Sequence, residues 1–392
     1  MEVMYETEHV RRLHIELSSK CNASCPACSR NFSGGLTVPG LELTELSLQD
    51  IERMVPVEIA RNLTGINYCG NLGDPGTATD LIPVLRYFRE QSPNIVQHVR
   101  TNGGMKGEKF WTEIGEFFRD QPPPRDDHLF NRAGVVFSVD GLSDTNHIYR
   151  RGVVWDKLFR NMTAYSKTGA KAAWEFLIFE HNQHQVEEAK HLAGLLGFDF
   201  IIKNPMGFGE YEDTTHGIHA YSNDGTYEYS IWPANYSGIK QAPPFGQQVD
   251  FRAIAIEHEN PITDFARELE QNSEINCRAI EHKESQEVYI SATGYMLPCC
   301  FLGGIFGNFN SSYSRKQFNT MIKEYGLEHF DLKKQSMLDI INGPYFSKFF
   351  LDGWKAEKIE CGKLLYCLEI CGHHSAIDKL YHSKQLKKKT NG

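Results

Sequence analysis

Cysteine is the residue type whose spacing says most in this chain. Ten cysteines occur among 392 residues, and nine of them fall into groups. Cys21, Cys25 and Cys28 form the first, Cys277, Cys299 and Cys300 the second, and Cys361, Cys367 and Cys371 the third; Cys69 stands alone. Grouping of this kind, in a chain whose start lacks a secretory pattern, points to metal rather than disulfides. Spaced C-x3-C-x2-C, three thiolates can hold three irons of a cubane 4Fe–4S cluster and leave the fourth iron open to a chelating ligand. A zinc site or three buried thiols are the competing readings. Zinc usually takes four ligands, and no nearby cysteine or histidine completes such a set.

The elements that must position these thiols follow a regular cadence. Six short runs rich in β-branched and apolar residues cover 12–18, 65–71, 95–102, 134–141, 172–180 and 198–204. Helical spacing fills the gaps between them. Ser47-x-x-Asp50 reads as a capping box opening a helix. Phe110, Trp111, Ile114, Phe117 and Phe118 form an apolar stripe, and Val186, Ala189, Ala193 and Leu196 another, closed by Gly197. Strand, helix, strand at this rhythm means parallel strands joined by right-handed crossovers. The expected fold is α/β, either a partial (β/α)6 barrel or a doubly wound sheet. Both place chemistry at the carboxyl ends of the strands.

The C-x3-C-x2-C group follows the first of these strands. Gly70-Asn71-Leu72-Gly73-Asp74-Pro75 follows the second, Ser138-Val139-Asp140-Gly141 ends the fourth, and Tyr149-Arg150-Arg151-Gly152 comes next. In this order the first 205 or so residues resemble the radical S-adenosylmethionine (SAM) superfamily. The resemblance implies a partial barrel and a 4Fe–4S cluster on Cys21, Cys25 and Cys28. It also implies a SAM molecule chelated to the open iron and cleaved to a 5′-deoxyadenosyl radical. Gly73 and Asp74 would meet the SAM amino group, Ser138 and Asp140 the ribose, and Arg150 and Arg151 belong to the arginine-bearing loop. Two positions depart from the pattern: Ala27 replaces an aromatic residue before the third cysteine, and Asp74 replaces glutamate. The second change leaves the amino-group contacts mainly to backbone groups.

Cys277, Gly294-x4-Cys299 and Cys361-x5-Cys367-x3-Cys371 resemble the auxiliary-cluster domains called SPASM and twitch. Lys358 stands where the longer pattern has a further cysteine, and none follows Cys371. The resemblance therefore implies one auxiliary 4Fe–4S cluster, on Cys277, Cys299, Cys367 and Cys371, with Cys361 as a possible substitute. A structural zinc on the same thiols is the alternative. Residues 288–291 and 295–298 read as a β-hairpin around Thr293-Gly294, with a return strand ending near Gly307. If that segment is extended, Cys300 points away from Cys299. The expected division is a core at 1–205, a bridging or substrate-covering segment at 206–265, a twitch-like domain at 266–376 and a basic tail at 377–392.

Two further positions stand out. Cys69 ends the second strand, where a thiol could return a hydrogen atom to a substrate radical, or could simply be a small buried residue. Glu175 interrupts an apolar fifth strand, and either holds SAM or substrate or pairs with Lys203 inside the barrel.

The remaining composition narrows the partners. A net charge of −9 argues against a broad nucleic-acid footprint, and the basic run at 384–389 reads as a solvated tail. No window reaches the ~18 apolar residues that span a bilayer, so the expected location is the cytoplasm. The resemblance implies an electron donor such as flavodoxin or ferredoxin. It implies a substrate that is a peptide or protein first and a small molecule, such as an aminosugar, second. The polar, aromatic stretch 211–236 favours the former, and the lack of a peptide-recognition domain before Cys21 counts against it. A non-catalytic iron–sulfur electron carrier is the remaining reading.

Overall fold

Each of the six expected strands forms, and each is shorter than its apolar run because the run continues into the loop beyond. They are β1 (Val10–Ile15), β2 (Gly65–Tyr68), β3 (Val96–Thr101), β4 (Val135–Ser138), β5 (Ala172–Leu177) and β6 (Asp199–Lys203). The structure is a computed structural model and describes residues 5–120, 134–205, 217–235, 262, 264–281, 284–307 and 313–372. The basic tail and most of the bridging segment lie outside these residues.

All six strands pair in parallel and in sequence order. A doubly wound sheet reverses its order at a switch point, and this one does not. Sequential order with right-handed crossovers puts the helices on one side of the sheet, as in a (β/α) barrel. The crossovers include α1 (Leu48–Met54), α2 (Val57–Asn62), α3 (Leu81–Gln91), α4 (Glu108–Arg119), α5 (Asn146–Tyr149), α6 (Trp155–Ser166) and α7 (Val186–Leu195). The Ser47–Asp50 capping box forms at the start of α1. Gly197 takes a positive φ of 71° just past α7, as its C-cap reading requires.

Period-two alternation sorts the strand residues between two faces. Leu13, Ile15, Ile66, Tyr68, Val99, Phe137, Trp174 and Phe176 are buried on the helix-covered face. There Phe137 meets Trp111 of α4 with ring centroids 5.2 Å apart and stacks on Phe198 at 5.6 Å. The opposite face carries His14, Asn67, His98, Arg100, Ser138 and Glu175, with Val136 and Ala173 as a small apolar island. A polar inner face is the surface an α/β barrel turns toward its ligand.

The C-terminal hairpin is β9 (Gln286–Ile290) with β10 (Met296–Leu297), turning through Gly294 at φ 89°. Instead of standing apart, β9 pairs in parallel with β1, so the sheet has eight strands in the order β10-β9-β1-β2-β3-β4-β5-β6. The expected return strand does not continue to Gly307: Cys300–Gly307 is a helix. Pro298 lacks the N–H a strand would need, and a short apolar run fits a buried helix as well as a strand. Within the bridging segment, β7 (Ile218–Tyr221) and β8 (Tyr227–Ile231) form a two-stranded sheet where an irregular cover was expected.

Phe137→Ala removes a fully buried ring from the contact between sheet and helices. It should lower the unfolding free energy by about 3–5 kcal/mol. Chemical denaturation checks this, and a loss under 1 kcal/mol would mean that β4 and α4 do not share one core.

Candidate active site and metal centres

The three N-terminal thiols sit on a loop pinned from several sides. Cys28 N–H bonds Cys25 O at 2.9 Å, Ala23 N–H lies 3.3 Å from Cys21 Sγ, and Ser24 N–H bonds Arg151 O at 2.9 Å. Arg30, buried at 5 % exposure, donates to Leu72 O at 2.7 Å and Ser19 O at 3.2 Å, tying the loop to the glycine turn. Two side chains from other elements reach the sulfurs. Asn102 Nδ2 lies 3.7 Å from Cys21 Sγ, and Arg150 approaches Cys25 Sγ at 3.8 Å. Burial pushes the Cys21 and Cys25 thiols up to about 11, with Arg150 opposing the rise at Cys25. Burial also raises Cys28.

The glycine turn is shaped by exclusion. A Cβ on Gly73 would collide with the Ser18 carbonyl, and one on Gly70 with the Gly73 carbonyl. Its amides are claimed by Glu16, whose Oε1 accepts from Leu72 N–H at 2.6 Å and Gly73 N–H at 2.9 Å. Asp74 is also buried and occupied. Its Oδ1 accepts from Gly76 N–H at 2.9 Å and Thr101 Oγ1 at 2.7 Å, and its Oδ2 accepts from Asn102 N–H at 2.7 Å. Asp74 thus fastens the turn to the end of β3. Burial raises its carboxyl, and these donors oppose the rise.

Asp140 is fully buried beyond β4. Its Oδ2 accepts from Arg150 Nε at 2.5 Å and its Oδ1 from Leu177 N–H at 2.7 Å. Arg150 therefore bridges Asp140 and Cys25, a position no solvated arginine would take. Its neighbour Arg151 turns to the β7–β8 hairpin, pairing with Glu228 at 2.6 Å and donating to Tyr221 O at 3.0 Å. Ser138 stands beside Glu175 in register. Glu175 joins Arg100 and Lys203, each at 2.6 Å. Burial opposes its ionisation, but the two cations win and hold its carboxyl below the usual range. Cys69 lies just past β2; burial pushes its thiol up to about 11, and its Sγ has a contact to Gly70 O at 4.0 Å.

Cys277, Cys299, Cys367 and Cys371 line one small pocket, together with Ile275, Phe301, Leu302, Trp354, Tyr366 and Ile370. Burial raises Cys277 and Cys367 strongly and Cys299 to about 12. Cys361 is exposed and does not line the pocket. Four thiols on an apolar wall suit an iron–sulfur cluster, whose ligands are thiolates and which is tuned by a dry surround. Among the described residues, no three His, Cys, Asp or Glu side chains converge as one metal ion would require.

Glu16, Asn102 and Tyr289 carry much of this geometry and went unread in the sequence. The available signal was the one that singled out Glu175, a charge inside an apolar strand. Tyr289 OH donates to Glu16 Oε2 at 2.6 Å, and Asn71 Nδ2 donates to Cys300 O at 2.6 Å. These two bonds join the glycine turn to the C-terminal cysteine region.

Glu16→Ala leaves three buried donors without an acceptor. Its expected cost is about 3–5 kcal/mol, measured by denaturation, with Glu16→Gln losing less. Glu175 makes a pH prediction. Because its folded pKa is lowered, its contribution is present above the unfolded value near ~4.3 and is lost as pH falls through the folded value. The stability difference between wild type and Glu175→Gln should therefore shrink on acidification below about pH 4; a difference constant from pH 7 to 3 would contradict the pairing.

Residues 277–367 match the SPASM domain, described as an iron–sulfur cluster-binding domain. No curated protein matches the sequence. Among solved structures, Streptococcus suis SuiB bound to S-adenosylmethionine is 16 % identical, with 75 % of this chain and 61 % of that chain covered and a TM-score of 0.43. This chain thus spans about three fifths of that protein's length. A structure of anSMEcpe with bound AdoMet is 13 % identical over 90 % of this chain and 85 % of that one, with a TM-score of 0.44. BtrN in complex with AdoMet and 2-DOIA is 13 % identical over 90 % and 92 %, with a TM-score of 0.39. Likenesses this distant leave the assignment to the motifs and the domain match. Residues 277–367 are thus similar to the SPASM iron–sulfur cluster-binding domain, and the three-cysteine loop of Cys21, Cys25 and Cys28 lies ahead of them in the chain.

Proposed function

We propose that the chain is a radical SAM enzyme that abstracts hydrogen from a peptide or protein substrate. The observation that carries this reading is the placement of Arg150 between Asp140 and Cys25, beside the glycine turn, at the carboxyl ends of a sequentially ordered parallel sheet. A 4Fe–4S cluster on Cys21, Cys25 and Cys28 would supply, from an external donor such as ferredoxin or flavodoxin, the electron that cleaves SAM.

The chain's own residues do the rest by position and charge. Arg150 offsets negative charge at Cys25, where buried thiolates would otherwise be costly. Asp140, fully buried and held by Arg150 and Leu177 N–H, fixes that guanidinium against Cys25. Asp74 shapes the turn, so a substrate amine there meets backbone carbonyls. Burial keeps Cys69 a thiol at neutral pH, and a retained S–H is what a hydrogen-atom donor needs. Cys277, Cys299, Cys367 and Cys371 would hold an auxiliary cluster.

The peptide reading draws on the β7–β8 hairpin. It docks beside the cysteine loop through Tyr221 N–H to Ser33 O at 3.0 Å and Tyr229 OH to Ile148 O at 2.7 Å. A wall of this kind suits an extended substrate.

Anaerobic reconstitution, iron counting and a dithionite-plus-SAM assay for 5′-deoxyadenosine test the proposal. The expected result is about eight irons per chain, from two cubanes, with 5′-deoxyadenosine formed. Cys25→Ala should abolish SAM cleavage and retain the C-terminal cluster; full-rate cleavage by that variant would sink the assignment. Cys69→Ala should leave uncoupled cleavage intact, and it should block product only if Cys69 donates the hydrogen.

A further inference from the structure

Besides the four thiols, two side chains on the described wall of the C-terminal pocket carry a polar hydrogen, Trp354 and Tyr366. Trp354 Nε1 is buried and completes no hydrogen bond among the described residues. A buried donor without an acceptor is costly, and each one in a native structure calls for a reason.

The backbone holds Trp354 against the segment that carries two of the cysteines. Trp354 lies in the helix Phe350–Lys355, and Cys367 and Cys371 lie in the helix Leu365–Cys371. Leu364, at the start of the second helix, donates its N–H to Gly353 O at 3.1 Å. Its own carbonyl accepts from Leu368 N–H at 2.9 Å, one residue past Cys367. A Cβ on Gly353 would overlap the Leu364 side chain, so glycine is what lets the two segments approach. Phe350, fully buried and one turn back on the first helix, packs with its ring centroid 6.2 Å from that of Trp354. The sulfur that the indole faces is that of Cys367. Burial raises this thiol, and the Trp354 N–H opposes the rise. A neutral thiol is a weak acceptor and a thiolate a strong one, so the N–H gains its full partner when Cys367 carries charge.

We propose that Trp354 is a positioning residue of the auxiliary site, its indole N–H donating to the Cys367 sulfur when that sulfur ligates iron and so raising the reduction potential there. The proposal rests on the reading of Cys277, Cys299, Cys367 and Cys371 as ligands of a 4Fe–4S cluster. Reduction adds negative charge to such a cluster and its sulfurs, so a donor stabilises the reduced form more than the oxidised one. Trp354 touches no substrate in this role; it sets how readily the site takes an electron.

The test uses the full chain with Cys25→Ala, reconstituted anaerobically, so that the C-terminal cluster alone is titrated. Iron counting comes first. About four irons per chain establish that cluster; none rejects the auxiliary-cluster reading, and the proposal falls with it. A redox titration followed by EPR then compares this protein with two versions lacking the N–H. One carries Trp354→Phe, and the other has 3-benzothienylalanine at position 354, which keeps the shape of the indole and puts sulfur where the N–H was. Both should lower the midpoint potential, by about tenfold in the reduction equilibrium, or ~59 mV for one electron. Thermal melts and iron content establish that each is folded and loaded. An unchanged potential with the isostere overturns the proposal, whatever Trp354→Phe does, because a shift confined to the smaller ring reports packing or water entry. A second readout needs no substitution in the parent sample. With tryptophan labelled by 15N in the indole, pulsed EPR of the reduced cluster should show a nitrogen coupling. The chain has five tryptophans, and loss of the coupling in Trp354→Phe assigns it to this one. No coupling in the parent, or one that survives the substitution, overturns the proposal while the iron count leaves the cluster itself standing.

Discussion

Glu16 leaves β1 with its carboxylate committed in three directions. One oxygen takes the Leu72 and Gly73 amides, and the other takes the Tyr289 hydroxyl. A carboxylate this deep is expensive to bury, and burial raises its pKa. Its donors offset that cost only when all three are in place, so the turn and the C-terminal strand must be positioned together. Glycine at 70 and 73 is the steric counterpart, since a side chain at 73 would meet the Ser18 carbonyl just past β1 and one at 70 the turn's own Gly73 carbonyl. The glycine turn is thus set by its neighbours on both sides, and the cysteine loop inherits its position from the turn through Arg30.

Charge placement continues outward from that point. Asp74 and Asp140 are both buried carboxylates, yet they are satisfied differently: Asp74 by neutral backbone and hydroxyl donors, Asp140 by a guanidinium. The difference decides what each can do. Asp74 contributes shape, and its negative charge lies near Cys21. Asp140 anchors a cation that in turn faces Cys25. On the proposed reading, thiols raised by burial would give up protons on binding iron, so cluster loading would be a pH-dependent step. Arg150, 3.8 Å from Cys25 Sγ, would ease that step at one of the three sulfurs.

Much of this was legible in the sequence, because the informative residues obey local rules. Apolar runs separated by helical spacing named all six strands, and the Ser47–Asp50 pair fixed a helix start. The spacing of the cysteines gave three groups, and the fold brings Cys277 and Cys299 of the second together with Cys367 and Cys371 of the third. What escaped depends on contacts far along the chain. Whether Glu175 served a ligand or an ion pair could not be read from β5 alone, because its partners come from β3 and β6. Cys300–Gly307 is apolar and short, with no periodicity to tell strand from helix. Nothing local announces that β9 joins the barrel sheet: its alternation fits a free hairpin equally well. Cys299 and Cys300 are adjacent, yet only Cys299 lines the four-cysteine pocket, because the helix beginning at Cys300 turns the two apart.

The pairing of β9 with β1 also bears on how the chain reaches this state. β1 precedes the other described strands in the chain and is interior to the sheet, with β2 on one flank and β9 on the other. Its second neighbour is made only after all of β2 to β6. Until then one edge of β1 offers unpaired amides and carbonyls, a template for mispairing. Contacts of such long sequence separation close late and slow folding. Tyr5 OH donates to Glu287 O at 2.8 Å, and Glu6 N–H to Gln286 Oε1 at 3.1 Å, so the residues before β1 close the same seam. The auxiliary-cluster half therefore completes the sheet that supports the first cysteine loop, and the two halves mature as one folding unit.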